Sequence, residues 1–315
     1  TTNPKLFKKT FCWEEIRTLN FDSLIRKIIE IKNIYGLNYI FPCYDETAIL
    51  FSFIKDKLDY LKIKLVAPSK DILRTIQKIN LSNIVKDIKQ YETPETKAVN
   101  SIDQAVRFAQ SIGYPVVCKG HIKGAYICYN EGDVVQNTRR ISDIWNAGVV
   151  NCLVQKYIDG EHENCMVALN QNKIVGYVEM IKIGMDQNGA TWFGKIKKTK
   201  NLFNFAEHLT KLFPFNTSII EIETIKVGDT YFVYEINPRP PAWIYTVCQL
   251  GINFPELVTK NFNGEINFIR KEGYFGRETK DFIRRDIGDF KENLKFYSKG
   301  SAYKRSGLKY PSELL

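Results

Sequence analysis

Apolar residues recur at three- and four-residue spacing in several stretches of this chain, and that spacing predicts helices. The clearest stretch is residues 21–34, which Gly36 follows as a helix stop. Equivalent spacing predicts further helices at residues 48–61, 69–78, 102–112, 201–213, 242–250 and 254–262. Asp45 and Glu46 stand just before the second helix, so we expect them to cap its N-terminus.

Short apolar runs bounded by Gly, Pro, Asn or Asp predict strands. The first two, at residues 38–42 and 63–68, alternate with helices, which is typical of a small parallel sheet. Later strands are predicted at residues 115–119, 126–129, 152–158, 164–169, 173–183, 191–195, 217–226 and 231–237. We expect the last two to pair as an antiparallel hairpin around a turn at residues 227–229.

This predicted hairpin carries several oxygen donors on one face. Glu235 and Asn237 are two residues apart on a strand and therefore point to the same side. The partner strand brings Glu221 or Glu223 across from Glu235, and the long loop expected at residues 226–230 favours Glu221. Two carboxylates and an amide oxygen suit Mg²⁺. A hairpin with a solvated acidic face is the alternative interpretation.

Two cationic side chains are suited to a phosphate ligand. Arg239 follows the hairpin in a proline-stiffened loop, and its planar guanidinium can bind oxygens bidentately. Lys119 closes an apolar strand against Gly120, where a buried ammonium is costly unless it meets an anion. The glycine-containing turn at residues 121–125 is short enough to fold over phosphates with its backbone N–H groups.

Charge and composition narrow the classes of function. The chain has 315 residues and a formal charge of +10, but its lysines are dispersed, so nucleic acid is not an expected partner. No apolar run approaches the roughly 20 residues of a membrane helix and no signal-peptide pattern opens the sequence, so no membrane partner is expected. The G-x-G-x-x-G fingerprint is missing, which disfavours NAD.

Cysteine and histidine usage excludes other chemistries. The seven cysteines are scattered without a C-x-x-C pair, which favours buried thiols in a reducing compartment and a cytoplasmic location. The three histidines disfavour a Ser-His-Asp triad or a histidine-rich metal site.

The order of these motifs resembles the ATP-grasp superfamily, which includes biotin carboxylase, the large subunit of carbamoyl phosphate synthetase and the carboxylate-amine ligases. Gly113-Tyr-Pro-Val-Val-Cys-Lys119 is similar to the superfamily's G-Y-P-V-V-x-K strand, and Glu235-Ile-Asn-Pro-Arg239 matches its E-I-N-P-R signature letter for letter. Gln155–Glu163 resembles the nucleotide hinge, and Lys78 stands where the first nucleotide-binding lysine stands. The resemblance covers about residues 21–262.

The resemblance implies an α/β (α+β) ATP-grasp fold, in which the nucleotide is held between two α+β lobes behind a partial Rossmann-like domain. That domain is partial because its usual first strand and helix are not found before Phe21. The implied boundaries are a pre-ATP-grasp domain at residues 1–77, a small lobe at 78–157, a large lobe with the magnesium site at 158–270, and an unassigned basic tail at 271–315.

The resemblance also implies roles for individual residues. ATP is expected to be held by Lys78, Lys119, Gly120, Gln155, Lys156, Tyr157, Ile158, Glu161 and Glu163. Mg²⁺ (or Mn²⁺) is expected on Glu221, Glu235 and Asn237, with Glu223 in reserve for Glu221. Arg239 and Lys182 are the expected catalytic residues.

The implied reaction is an ATP-dependent ligation. The γ-phosphoryl group passes to a carboxylate, and an amine then attacks the acyl phosphate to give an amide, ADP and phosphate. The expected partners are small-molecule or peptide carboxylates and amines, with a homodimer or a separate partner subunit. Two alternatives stay open: a carbamoyl-phosphate-synthetase-like or carboxylase reaction on bicarbonate, and a non-catalytic nucleotide-binding subunit.

Overall fold

The computed structural model describes residues 20–144, 150–185, 189, 191–260 and 264–276. Across these ranges, no helix combines the length and the apolar character needed to cross a bilayer. The strands within these ranges form three separate sheets, of two, four and eight strands.

A parallel pair of short strands organises the first part of the chain. β1 (Tyr39–Ile40) pairs with β2 (Lys64–Leu65) in parallel, which confirms the small parallel sheet expected from the sequence. The helices of this part are α1 (Phe21–Tyr35), α2 (Asp45–Phe53), α3 (Lys55–Tyr60), α4 (Lys70–Thr75) and α5 (Leu81–Val85). Side chains from α1, α2, α3 and the two strands, among them Leu24 and Leu58, form one buried cluster.

The expected capping of α2 by its two acidic residues is wrong. Tyr44 is the N-cap residue, and its backbone N–H donates to the Thr47 hydroxyl, so Asp45 and Glu46 lie in the first helical turn. Their carboxylates meet distant cations: Asp45 pairs with Arg239, and Glu46 pairs with Lys123. Carboxylates are favourable in the first turn of a helix, so both contacts can form without weakening α2.

The four-stranded sheet is antiparallel and has two helices on one face. Its strands, in spatial order, are β4 (Thr96–Val99), β7 (Cys152–Lys156), β5 (Val116–Lys119) and β6 (Ala125–Cys128). The helices are α6 (Ile102–Ile112) and α7 (Glu131–Ile144), and their apolar faces share a buried core with the strands. Lys119 is the last residue of β5, as predicted.

The third sheet contains the remaining eight strands. Seven of them follow the spatial order β14 (Gly273–Gly276), β10 (Thr191–Lys197), β9 (Lys173–Met185), β8 (Glu161–Asn170), β11 (Ser218–Val227), β12 (Thr230–Asn237) and β3 (Tyr91–Glu92). The eighth, β13 (Asn267–Phe268), pairs with β9. α8 (Phe203–Leu212) packs on one face, while α9 (Ile244–Gln249) and α10 (Phe254–Thr259) pack on the other.

The predicted domain boundaries stay a prediction, and two strands bear on them. β3 lies in the range assigned to the small lobe but pairs with β12 of the large sheet. β14 belongs to the range assigned to the tail and forms an edge of the same sheet. The rest of that tail, residues 277–315, lies outside the described residues.

The β11–β12 hairpin is confirmed, but its turn is shorter than expected. Val227 pairs with Thr230 across a two-residue turn in which Gly228 has a φ of 59°, a value that glycine adopts at little cost. Further along, the register shifts at a β-bulge, which leaves Tyr234 as the extra residue. This register places Glu223 opposite Glu235.

Candidate active site

A cleft of about 870 Å³ lies between the four-stranded and eight-stranded sheets, and residues that precede and begin α2 close one end of it. Most of the site residues proposed from the sequence line this cleft. They are Lys78, Lys119, Gln155, Lys156, Tyr157, Ile158, Glu235, Asn237 and Arg239, together with the reserve residue Glu223.

Two lysines contribute positive charge to the cleft. The Lys78 ammonium lies 2.9 Å from Oε1 of Glu235 and donates to the carbonyl oxygen of His121. The Lys119 ammonium lies 4.6 Å from the ring centroid of Tyr234. Burial lowers the pKa of Lys119 to about 8, even though Glu235 attracts its charge, and Lys78 lowers the pKa further. An anion bound in the cleft would therefore favour the charged form of Lys119.

Glu223 is an ionised carboxylate on the cleft wall. Its Oε2 accepts from the Lys182 ammonium and, at 2.6 Å, from the Tyr234 hydroxyl, while Oε1 accepts from the Asn237 amide at 2.7 Å. Burial acts to raise the pKa of Glu223, but the Lys182 charge and these hydrogen bonds hold it at about 2. Glu223 is therefore an anion at neutral pH, directly across the hairpin from Glu235.

Glu221 has a different environment, although it lies only two residues away. Its Oε1 accepts from Trp243 Nε1 at 2.8 Å and from Asn164 Nδ2 at 3.1 Å. Its Oε2 accepts from Arg239 and from Asn237, both at 3.2 Å. Burial, together with the second carboxylate on the strand, raises the pKa of Glu221. Protein donors occupy both oxygens of Glu221, as they do those of Glu223, but Glu221 does not line the cleft. Glu221 is therefore placed to hold Arg239 and Trp243.

The cleft-facing donors fit a hard divalent cation. Glu223 and Glu235 supply carboxylates from facing positions, and Asn237 supplies an amide two residues further along β12. In the described part of the chain, no three His, Cys, Asp or Glu side chains form a metal-binding group, so a metal here needs the amide oxygen as well. Glu223 is favoured over Glu221 as the second carboxylate ligand, because Glu223 pairs with Glu235 and lines the cleft. The longer turn that had favoured Glu221 is not observed.

Arg239 joins the hairpin loop to the first part of the chain. Its Nε lies 3.4 Å from Oδ1 of Asp45, and its Nη1 lies 3.2 Å from Oε2 of Glu221. Burial acts to lower the pKa of Arg239, but Asp45 and Glu221 raise it above its usual value. Sequence reasoning missed this contact of Asp45, although the residue follows the carboxyl end of β1, where functional side chains of parallel sheets gather.

The strand β7 brings the predicted nucleotide hinge to the cleft. The Gln155 side chain donates to the Thr96 hydroxyl at 2.7 Å, and the backbone N–H of Lys156 donates to the carbonyl oxygen of Glu95 at 2.8 Å. These bonds fix the hinge against β4 and against the segment that precedes it. Lys156 and Tyr157 line the cleft beyond them.

Other predicted residues are not brought to the cleft wall. The N–H of Gly120 donates to the carbonyl oxygen of Gly124 and closes the turn. Glu161 is exposed, and Glu163 is buried in an ion pair with Lys197 at 2.7 Å. Lys182 lies behind Glu223, where the two charges neutralise each other. These positions leave Glu161 and Glu163 without the cleft contacts that the resemblance implied for them.

Among the cleft residues that were not proposed as site residues, Tyr234 and His162 lie beside the charged groups. Tyr234 faces the cleft because of the β-bulge, which has no signature in the sequence. The ring of His162 packs edge-on against Tyr234, and burial, with the nearby Lys182 charge, lowers the pKa of His162 to about 4. His162 lies inside the predicted hinge motif, and this position in the sequence could have indicated that it lines the cleft.

Comparison with known proteins finds one matching family. Residues 77–183 match the family described as the ATP-binding domain of the carbamoyl-phosphate synthase L chain. This range begins just before Lys78 and ends in β9, before the β11–β12 hairpin.

Several solved structures share the fold. The biotin carboxylase domain of 2-oxoglutarate carboxylase from Hydrogenobacter thermophilus, solved with magnesium ADP and bicarbonate, is 16% identical, with 80% of this chain and 60% of that chain covered and a TM-score of 0.61. L-amino acid ligase from Bacillus licheniformis is 13% identical, with 82% and 66% covered and a TM-score of 0.62. D-alanine–D-alanine ligase from Bacillus anthracis is 14% identical, with 74% and 81% covered and a TM-score of 0.53.

The chain covers only part of the carboxylase structures, which limits what can be concluded from the similarity. The chain spans 60% of that carboxylase domain and 56% of biotin carboxylase from Campylobacter jejuni. At such low identity the likeness shows a shared fold, and the chemistry has to be argued from the cleft itself.

Proposed function

We propose, from the premise that this chain belongs to the ATP-grasp superfamily, that it is an ATP-dependent ligase that joins a carboxylate to an amine. The supporting observation is the meeting of two kinds of charge in one cleft. Lys78, Lys119 and Arg239 supply cations, and Glu223 and Glu235 face each other beside them. A cleft with this pattern is suited to a triphosphate carried by a divalent ion.

Each residue then has a distinct task in phosphoryl transfer. Lys78 and Lys119 neutralise the charge of the bound phosphates, and Arg239 binds the γ-phosphoryl group as it moves to the substrate carboxylate. Glu223, Glu235 and Asn237 would hold Mg²⁺, which supplies additional charge neutralisation when bound. Phosphoryl transfer depends mainly on positioning and on such neutralisation.

Supporting residues keep these groups in the required charge state. The Lys182 ammonium pairs with Glu223 and keeps it ionised, which replaces the direct catalytic task first expected of Lys182. Glu221 and Asp45 hold the guanidinium of Arg239 from two sides. In the second half of the reaction, the amine nitrogen bonds to the acyl carbon, the bond from that carbon to the phosphate oxygen breaks, and phosphate leaves as the nitrogen loses a proton.

A carboxylase-type reaction on bicarbonate is the second candidate. The observation that favours it is the likeness to a biotin carboxylase domain that was solved with magnesium ADP and bicarbonate. Both reactions begin with phosphoryl transfer to a carboxylate-like oxygen, so the same cleft chemistry supports either of them.

Magnesium-dependent ADP release distinguishes the candidates. The full chain would be incubated with Mg·ATP and one of three additions: pooled amino acids and dipeptides, bicarbonate, or buffer alone. The ligase proposal expects ADP only with the amino acid and peptide pool, whereas a carboxylase releases ADP with bicarbonate. Nucleotide binding without ADP release under all three conditions would contradict both and leave a non-catalytic nucleotide-binding subunit.

Substitution of Glu235 tests the assignment of the cleft. We expect Glu235→Gln to lower ADP release by at least about 100-fold, because a carboxylate assigned to Mg²⁺ is lost. The unfolding midpoint should fall, because the nearly buried Lys78 ammonium loses its charged partner, so activity is compared at a temperature well below that midpoint. Glu256→Gln, at an exposed pair with Lys260 on α10, is the matched control and should retain full activity. Full activity in Glu235→Gln would refute the assignment.

A further inference from the structure

A second pocket, of about 400 Å³, opens off the cleft beside α2 and α4. Five residues line both cavities: Asp45, Lys78, Ile122, Glu235 and Asn237. The pocket therefore meets the cleft at the Lys78–Glu235 ion pair and at the carboxylate that contacts Arg239. The nucleotide chemistry proposed above leaves this space without a task.

The shape of the pocket follows from its two helices. Along α2 the lining residues run from Asp45, at the junction with the cleft, to Phe53. Along α4 and the turn that follows, they run from Lys70 to Lys78, which lies at the same junction. Eight helical steps of 1.5 Å make the α2 wall about 12 Å long. An extended dipeptide or tripeptide, at about 3.5 Å per residue, fits this length.

Both carboxylates that line the pocket, Asp45 and Glu235, lie at its inner end. Lys78 lies at the same end and pairs with Glu235. Oδ1 of Asp45 lies 3.4 Å from Nε of Arg239 but accepts no hydrogen bond, so it can accept one from a ligand. Lys70 and Arg74 lie at the outer end and are exposed. These two cations are four residues apart on α4, so they face the same side of the helix.

Apolar side chains form the wall between these two ends. Ile49 and Phe53 contribute from α2, and Leu73 contributes from α4, one residue before Arg74. A ligand that satisfies the whole pocket needs an amino group at its inner end, an apolar side chain in the middle and an anionic group at its outer end.

We propose that this pocket binds the amine substrate, and that this substrate is a short peptide that enters amino end first. Its terminal amine lies at Asp45, its apolar side chain packs between α2 and α4, and its carboxylate meets Lys70 and Arg74. The attacking nitrogen is then held at the junction with the cleft, next to the arginine assigned to the γ-phosphoryl group. The role as a substrate site rests on the proposed ligase function, whereas the binding itself does not.

Binding to the full chain in the presence of Mg·ADP tests the pocket directly. The probes for calorimetry are alanyl-leucine, its C-terminal amide and its N-acetyl derivative. We expect alanyl-leucine to bind, and each blocked peptide to bind at least about tenfold more weakly, because a charge-assisted hydrogen bond contributes about 1.5–3 kcal/mol. No binding of alanyl-leucine, or equal affinity for the acid and its amide, would overturn the proposal.

A substitution at the outer end tests where the carboxylate lies. Arg74→Gln should weaken binding of alanyl-leucine about tenfold and leave the affinity for its amide unchanged, so the difference between the two ligands should fall sharply. Arg26→Gln, on the exposed side of α1, is the matched control and should keep the full difference. Undiminished discrimination in Arg74→Gln, in protein with an unchanged unfolding midpoint, would overturn the assignment.

The outcomes for the pocket and for the ligase are separable. If alanyl-leucine binds as described but no condition releases ADP, the peptide pocket stands and the ligase proposal fails. If peptides stimulate ADP release equally in the unmodified chain and in Arg74→Gln, the ligase proposal stands and the pocket assignment fails.

Discussion

Glu221 and Glu223 lie on the same strand and face of β11, yet the residues around them give them different tasks. Protein donors reach both oxygens of each carboxylate, but only Glu223 lines the cleft, where it lies opposite Glu235. The charge-conserving substitution Glu223→Asp should therefore raise the Mg²⁺ concentration for half-maximal ADP release about tenfold or more, since it shortens a proposed ligand. Glu221→Asp should leave that concentration unchanged.

The same pair of variants has a second readout. Glu221→Asp should lower the unfolding midpoint, because buried donors of Trp243 and Arg239 lose their acceptor, at a cost of about 1–3 kcal/mol. Magnesium titrations and thermal unfolding of both variants would measure the two effects. A larger magnesium effect in Glu221→Asp would return the ligand assignment to Glu221.

Lys119 makes nucleotide binding dependent on pH. Because burial lowers its pKa to about 8, the ammonium is progressively lost as the pH rises through 8, and the dissociation constant for ATP should increase above that pH. Calorimetry with ATP at pH 7, 8 and 9 measures this. In Lys119→Arg the cation stays charged, so the dependence near pH 8 should disappear. An identical pH profile in that variant would contradict the assignment.

The stability of the protein without nucleotide should increase with pH, whereas its affinity for ATP should decrease. A lysine in the unfolded chain has a pKa near 10.4, so between about pH 8 and pH 10 the unfolded state holds more protons at this residue than the folded state does. The contribution of Lys119 to the free energy of unfolding therefore rises with pH across that window.

Sequence motifs could predict the residues that belong to continuous stretches of the site. Lys119 closes its strand and Arg239 follows the hairpin as expected, and both line the cleft. Asp45 could not be predicted, because its contact with Arg239 spans nearly two hundred positions of sequence. Tyr234 could not be predicted either, because a β-bulge changes which side chains share a face.

At the scale of elements, local signals determined what could be predicted. α6 begins after Ser101 and ends before Gly113, as expected, since a polar cap and a glycine mark its ends. The helix expected at residues 48–61 is instead two helices that meet at Ile54, where neither glycine nor proline marks a break. The turn of the β11–β12 hairpin is shorter than the loop expected at residues 226–230. The longer loop was the reason to prefer Glu221 over Glu223.

The segment between β7 and β8 is held close to the hairpin by Gly160. A Cβ atom at this position would lie 2.4 Å from the carbonyl oxygen of Lys226 and 2.8 Å from a methyl group of Ile225. Since the carbonyl belongs to a paired strand, Gly160→Ala should displace the hinge, destabilise the fold by about 1–3 kcal/mol and weaken ATP binding. Thermal unfolding and calorimetry measure the two effects.

The control for this substitution is a glycine where a Cβ atom would approach no backbone atom, only one side-chain oxygen at 3.1 Å. Gly132→Ala, in α7, would meet only the end of the Asn130 side chain within 4 Å, and alanine favours helix. It should leave stability and ATP affinity unchanged or slightly improved. A Gly160→Ala variant that behaves like Gly132→Ala would show that the close approach has no consequence.

At the scale of the whole molecule, ion pairs join parts of the chain that are distant in sequence. Glu46 of α2 meets Lys123 of the turn after β5, and Lys78 meets Glu235 of the large sheet. The order of motifs predicted which residues would line the cleft. It could not predict that α2 closes the cleft, because that depends on how the first part of the chain packs against the rest.

Mg·ATP should stabilise this whole assembly of sheets. A ligand that binds only the folded state adds about 2.7 kcal/mol at a concentration one hundred times its dissociation constant. We therefore expect a higher unfolding midpoint with Mg·ATP, and no change with NADH or with duplex DNA. Thermal unfolding of the full chain measures all three, and stabilisation by NADH equal to that by Mg·ATP would contradict the assigned ligand.

The crowding of ammonium groups around Lys119 has a practical consequence for handling the protein. Burial disfavours the charged form of Lys119; Lys78 and Lys182 repel its charge, whereas Glu235 and Glu223 attract it. A small polyanion that binds beside Lys119 favours its charged form. Sulfate, pyrophosphate or concentrated phosphate buffer will therefore compete with nucleotide, and affinities measured in such buffers will understate the true strength of binding.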